Sequence, residues 1–100
     1  MRLQVHSIHF DADRKLLDFI EQRVDKLNTY YDRLEGGEVF LRLNNEGVEN
    51  KTVEIKLNVP GKMLFAKEQA RSFEAAADQA VEALRNQLSK YKTQVKDGRA

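Results

Sequence analysis

The strongest constraint on the fold is a run of three alternating segments with very little chain between them. From Glu38 to Asn44, Val39, Leu41 and Leu43 face one way and Phe40 and Arg42 the other. Thr52 to Val59 repeats the pattern with Val53, Ile55, Leu57 and Val59, and Lys62 to Gln69 repeats it again with Met63 and Phe65 on one face. A side-chain period of two is the signature of a strand. Asn44-Asn45-Glu46-Gly47 with Glu49-Asn50 supplies a polar turn between the first two segments, and Pro60-Gly61 a tight turn between the last two. Parallel neighbours need a crossover of about a dozen residues or more, so these segments form an antiparallel meander.

The flanks carry the other period. Arg2 to His9 alternates loosely, with Leu3 and Val5 on one face, and reads as a first strand. Leu16, Leu17, Ile20, Val24, Leu27 and Tyr31 then form a stripe at helical spacing, with Asp11 or Asp13 as N-cap and Gly36-Gly37 as the break that follows. Ser72 caps a last helix whose stripe is Phe73, Ala76, Ala77, Ala80, Val81, Leu84, Leu88, Tyr91 and Val95. The small alanines near its start let it sit close to a sheet. The order is β-α-β-β-β-α. It predicts an α+β two-layer sandwich with a four-stranded mixed sheet and both helices on one face, like a double-stranded-RNA-binding domain. The other face carries Phe40, Arg42, Glu54 and Lys56 and is polar enough to stay in water.

One hundred residues suffice for one core, so 1–95 reads as a single domain and 96–100 as a short flexible tail. The chain is 41% hydrophobic and 33% charged, a profile of a globular domain. It has no cysteine, which excludes disulfides, thiolate metal sites and thiol nucleophiles. No apolar run is long enough to cross a bilayer, and the start Met1-Arg2-Leu3-Gln4-Val5-His6 lacks a signal peptide's apolar stretch. A cytoplasmic protein is expected.

Catalytic chemistry finds little support. His6 and His9 fall on opposite faces of a strand, poorly placed to share a metal. Asp11, Asp13 and Asp18 lie close together, but a helix start accounts for the first two. Ser7 and Ser72 have no nucleophile motif around them, and neither Gly36-Gly37 nor Pro60-Gly61-Lys62 has the spacing of a phosphate-binding loop. The reading is a protein that is not an enzyme and has no metal, cofactor or small-molecule substrate.

Charge is more informative by position than by sum, since the net value is only +1. From Ser72 to Leu84 the last helix carries only acids, Glu74, Asp78 and Glu82; from Arg85 onward it carries Arg85, Lys90, Lys92, Lys96 and Arg99 against Asp97 alone. Arg85, Ser89, Lys92 and Lys96 share a stripe at i, i+4, i+7, i+11. On the first helix, Arg23, Lys26, Tyr30 and Arg33 recur at i, i+3, i+7, i+10. Cations with an exposed aromatic suit RNA, because the ring stacks while the cations meet phosphates. Helix-dipole complementarity and an ordinary solvated face account for the same spacings, so spacing alone leaves both readings open.

The chain resembles the short ribosome hibernation-promoting factors, the family that includes the ribosome-associated translation inhibitor. The resemblance covers nearly the whole chain. It rests on the element order, on Leu27-Asn28-Thr29-Tyr30-Tyr31-Asp32-Arg33-Leu34 and on Ala83-Leu84-Arg85-Asn86-Gln87-Leu88-Ser89-Lys90-Tyr91-Lys92. It implies binding to the small ribosomal subunit at the decoding region, where messenger and the A- and P-site transfer RNAs lie. Such binding blocks translation and preserves idle ribosomes under stress or in stationary phase. Contacts of this kind run mainly from basic side chains to ribosomal RNA backbone. By position the resemblance implies Arg23, Lys26, Tyr30, Arg33, Lys90 and Lys92 as contacts, with Arg85 and Lys96 joining them on spacing. Asn86 and Gln94 stand where the family's second helix is typically basic, which lowers the charge. The chain looks like a short form, with no dimerising C-terminal domain, monomeric off the ribosome. The competing readings are a protein-interaction domain, a general double-stranded-RNA module, which the acidic start of the last helix disfavours, and a small ferredoxin-like enzyme.

Overall fold

A computed structural model describes residues 1–44 and 46–96 of the chain, with residues 95 and 96 described by their backbone. The elements are β1 (Leu3–Ile8), α1 (Arg14–Tyr30), β2 (Gly36–Leu43), β3 (Lys51–Val59), β4 (Lys62–Ala70) and α2 (Phe73–Lys96). One four-stranded sheet has the order β1-β2-β3-β4; β1 and β2 are parallel and the other neighbours antiparallel. This is the α+β layer order expected from the periods.

Both helices start as their capping residues dictate. Asp13 Oδ1 accepts the backbone N–H of Leu16 at 2.8 Å, and Ser72 Oγ accepts that of Ala75 at 3.0 Å. Asp18, the third clustered aspartate, pairs with Arg14 one turn back at 3.5 Å. The helices bury Ile20, Val24 and Leu27 from α1 and Phe73, Ala76, Ala77, Ala80, Leu84, Leu88 and Tyr91 from α2. These meet Val39, Leu41, Val53, Ile55, Leu57, Val59, Leu64 and Ala66 on the sheet. Tyr91 reaches the Pro60 carbonyl oxygen with its hydroxyl at 2.6 Å and stacks edge-on with Tyr31, tying α2 to the β3–β4 turn. Gly61 in that turn takes φ +77°, the left-handed value that the second central residue after a proline requires.

Three expectations change. Gly36-Gly37 is not a break but the start of β2, and both residues are buried. A Cβ on Gly37 would lie 2.8 Å from the Lys56 carbonyl oxygen and 2.9 Å from Leu57 Cδ2, so close strand packing accounts for the glycine. In β4, Leu64 and Ala66 are the inward residues, because Leu64 pairs with Leu57 and Ala66 with Ile55. Met63 and Phe65 therefore face outward, 51% and 43% exposed, and the open face is less polar than expected. Leu43, at the end of β2, is 47% exposed, beyond the cover of the helices. His9 closes β1 with φ +66°. The expected tail and Asn45 of the polar turn lie outside the described residues, as do the side chains of Val95 and Lys96.

Candidate nucleic-acid-binding surface

The helices run parallel, so their C-terminal ends lie side by side. Residues pair in ascending order along them: Arg23 with Asp78, and Tyr30 with Arg85 and Lys92. Two negative dipole ends thus converge, and α1 has no basic residue in its own last turn. Lys92 of α2 supplies the missing cation. Its Nζ donates to the Tyr30 carbonyl oxygen at 3.2 Å, one of the free acceptors at the end of α1, and stands 4.3 Å from the Tyr30 ring centroid. Arg85 lies on the same ring at 5.3 Å.

Tyr30 is half-buried beneath these cations, at the mouth of a groove between the helices. The groove holds roughly 430 Å³ and is lined by Lys26, Thr29 and Tyr30 from α1 and by Val81, Glu82 and Arg85 from α2. Lys26, Arg85 and Lys92 are exposed. The structure therefore brings Lys26, Tyr30, Arg85 and Lys92 into one surface, with Glu82 as the acid among them.

The other expected contacts sit differently. Arg33 lies past the end of α1, in the turn that follows Tyr31, so the helical period that placed it in the stripe does not govern it; it is exposed at the same end. Lys90 lies five residues after Arg85, about 140° further round at 3.6 residues per turn, so it points out of the groove into solvent. Lys96 continues α2 by its backbone, and its side chain lies outside the described residues.

Arg23 departs most from expectation. Its guanidinium Nε donates to Asp78 Oδ1 at 2.7 Å and its Cζ stands 4.6 Å from the Phe19 ring centroid. It bridges α1 to α2 with only 35% of its side chain exposed, so much of its charge is already partnered. The sequence shows Asp78 only as one of the acids of the last helix, because its pairing with Arg23 spans 55 residues and leaves no local pattern. Tyr31, beside Tyr91, has its phenol pushed above the ordinary value of 10.0, first by burial. Among the described residues, no cluster of three or more His, Asp or Glu side chains could hold a metal ion.

Fold and surface together define a two-layer α+β domain with Lys26, Arg33, Arg85 and Lys92 exposed toward the C-terminal end of a parallel helix pair. The profile of a known family, described as Sigma 54 modulation protein / S30EA ribosomal protein, matches residues 3–96. The chain belongs to that family, which comprises ribosome-associated factors and is not an enzyme family.

The ribosome hibernation promotion factor of Deinococcus radiodurans is 31% identical over 94 residues, covering 90% of this chain and 48% of that protein. The ribosome hibernation promoting factor of Escherichia coli strain K12 is 28% identical over 96 residues, covering 96% of this chain and 98% of that protein. The chain thus spans about half the length of the first relative and nearly all of the second. Two solved structures share the fold. A ribosomal subunit interface protein from Coxiella burnetii superposes with a TM-score of 0.84 at 22% identity, covering 93% of this chain and 99% of that one. The N-terminal domain of Thermus thermophilus Protein Y superposes with a TM-score of 0.79 at 24% identity, covering 91% and 99%. No helix among the described residues is long and apolar enough to cross a membrane.

Proposed function

We propose that this chain is a ribosome hibernation factor that binds the small ribosomal subunit at the decoding region and excludes messenger and transfer RNA. One observation carries the RNA part of this reading. Arg85 and Lys92 stand over the Tyr30 ring, Lys26 lines the same groove from the other helix, and Arg33 is exposed at the same end. Cations fixed in place lose little freedom when they meet a phosphate, and phosphate contact needs no base sequence. Family membership, and relatives named as hibernation factors, support the ribosome as the source of that RNA. Occupying a channel that messenger must enter stops translation without chemistry.

The test is sedimentation of small subunits through a gradient at moderate salt, with the protein followed by immunoblot. The wild-type chain is expected to travel with the small subunit and to be displaced by excess messenger with transfer RNA. A variant with Lys26, Arg33, Arg85 and Lys90 changed to Glu is expected to stay at the top while its circular dichroism matches the wild type. All four are exposed, and none is tied to a carboxylate among the described residues. Co-migration of that variant would overturn the assignment of the surface.

A further inference from the structure

We propose that the open face of the sheet is a second binding surface, which takes an unpaired stretch of RNA by stacking its bases on the exposed Phe65 and the half-buried His6–Phe40 pair. The surface lies opposite the helices and is independent of the reading above. Its observations come from the sheet register. His6, Phe40, Glu54 and Lys67 form one row across the four strands, and Gln4, Glu38, Lys56 and Phe65 form the next.

His6 and Phe40 stack at 4.9 Å with 17° between their planes. Lys56 Nζ and Arg42 Cζ stand 5.4 and 5.9 Å from the Phe40 centroid, so two cations flank the ring pair. Phe65, exposed on the edge strand, has no ring or cation over it among the described residues, and its flat side is open to a base. Met63 extends the apolar strip along the same strand.

The charges favour a polyanion. Glu54 is sunk to 14% side-chain exposure between Arg42 at 3.6 Å and Lys67 at 3.7 Å, two cations on one carboxylate. Glu38 meets His6 Nε2 at 3.1 Å. Arg42, Lys56 and Lys67 therefore stand on this face against Glu38 and Glu54, and Lys56 is tied to no carboxylate among the described residues. An unpaired RNA strand offers a flat ring and a phosphate at every nucleotide, which suits a face that carries both rings and cations. Duplex RNA keeps its bases stacked inside, and an acidic peptide brings the charge without the rings.

The experiment is anisotropy of a short labelled oligouridine titrated with the whole chain at low salt, alongside the same titration with labelled oligoglutamate. Phe40→Ala with Phe65→Ala is expected to weaken oligouridine binding by about tenfold or more, as loss of base stacking does. Lys15→Gln with Glu21→Gln, exposed on the first half of α1 and outside both surfaces, is expected to change it by less than about threefold. Thermal melts check that the double alanine variant folds; should it not, Phe65→Ser alone, at a more exposed site, carries the same expectation in smaller measure. Three results would each overturn the proposal: no oligouridine binding, binding indifferent to the ring substitutions, or ring-dependent binding of oligoglutamate alone. Co-migration with small subunits, read in parallel on the same variants, keeps this outcome separate from that of the helix surface.

Discussion

Arg23 and Lys26 sit three residues apart on one helix and do different work. Lys26 is free to meet a phosphate, whereas Arg23 holds Asp78 and lies over Phe19. A partly exposed ion pair contributes about 0.2–1 kcal/mol, and a cation over a ring adds a similar amount. Arg23→Gln is therefore expected to lower stability by roughly 1 kcal/mol, read as a shift in the urea midpoint with unchanged slope. Asp78→Asn should cost less, because it leaves the Phe19 contact in place. The charge-swapped pair Arg23→Asp with Asp78→Arg should recover part of the loss in a double-mutant cycle. A cycle with no coupling would mean the two residues are only neighbours. In RNA binding, Arg23→Gln should matter less than Lys26→Gln. Spacing along α1 made the two residues look equivalent, since the partner that separates them is 55 residues away.

At the scale of elements, Gly37 and Tyr31 show how tightly the layers are set. A side chain at Gly37 would press on the backbone of β3, where neither strand can yield without losing its ladder. Gly37→Ala is expected to destabilise the domain by about 1–3 kcal/mol, measured by denaturant unfolding. Tyr31 joins the end of α1 to α2 through Tyr91, and burial raises its phenol pKa above 10.0. A group whose folded pKa is raised contributes stability that is fully present below its unfolded value and lost as pH rises beyond it. The melting temperature should therefore fall above about pH 10, and Tyr31→Phe should flatten part of that fall. All six elements were legible because each hydrophobic period is long and bounded by turn or capping residues, as at Asp13, Ser72 and Pro60-Gly61. The inward face of β4 was not legible, because Met63 and Phe65 compete with Leu64 and Ala66 at the same period. Only pairing with β3 decides which pair is buried. Gly36-Gly37 misled for a related reason: glycine marks both a turn and a close approach, and only the neighbouring strand distinguishes them.

The whole molecule explains how a chain of net charge +1 can present a strongly basic region. Parallel helices put both N-termini at one end and both C-termini at the other. On α2, acids near the N-terminus and bases near the C-terminus suit the helix dipole, and its late bases Arg85 and Lys92 also serve the end of α1, which has no acid in its first turn and no base in its last. Glu74 and Asp78 stand toward the N-terminal end of α2, and Arg33, Arg85, Lys90 and Lys92 toward the C-terminal end of the pair. The dipole reading and the RNA reading of the last helix thus describe one arrangement, since the requirement that orders the charges along α2 also concentrates them for a polyanion. Their electrostatic consequence can be measured. Each phosphate contact releases condensed counterions, so affinity for small subunits should fall linearly with the logarithm of salt concentration. Removing one phosphate-contacting cation should reduce that slope by roughly one unit. Lys26→Gln and Arg85→Gln are expected to do so. Arg23→Gln should leave the slope nearly unchanged, because its charge is already partnered by Asp78. Equal slopes for all three variants would mean that the groove cations do not touch phosphate and that the basic end serves the helices alone.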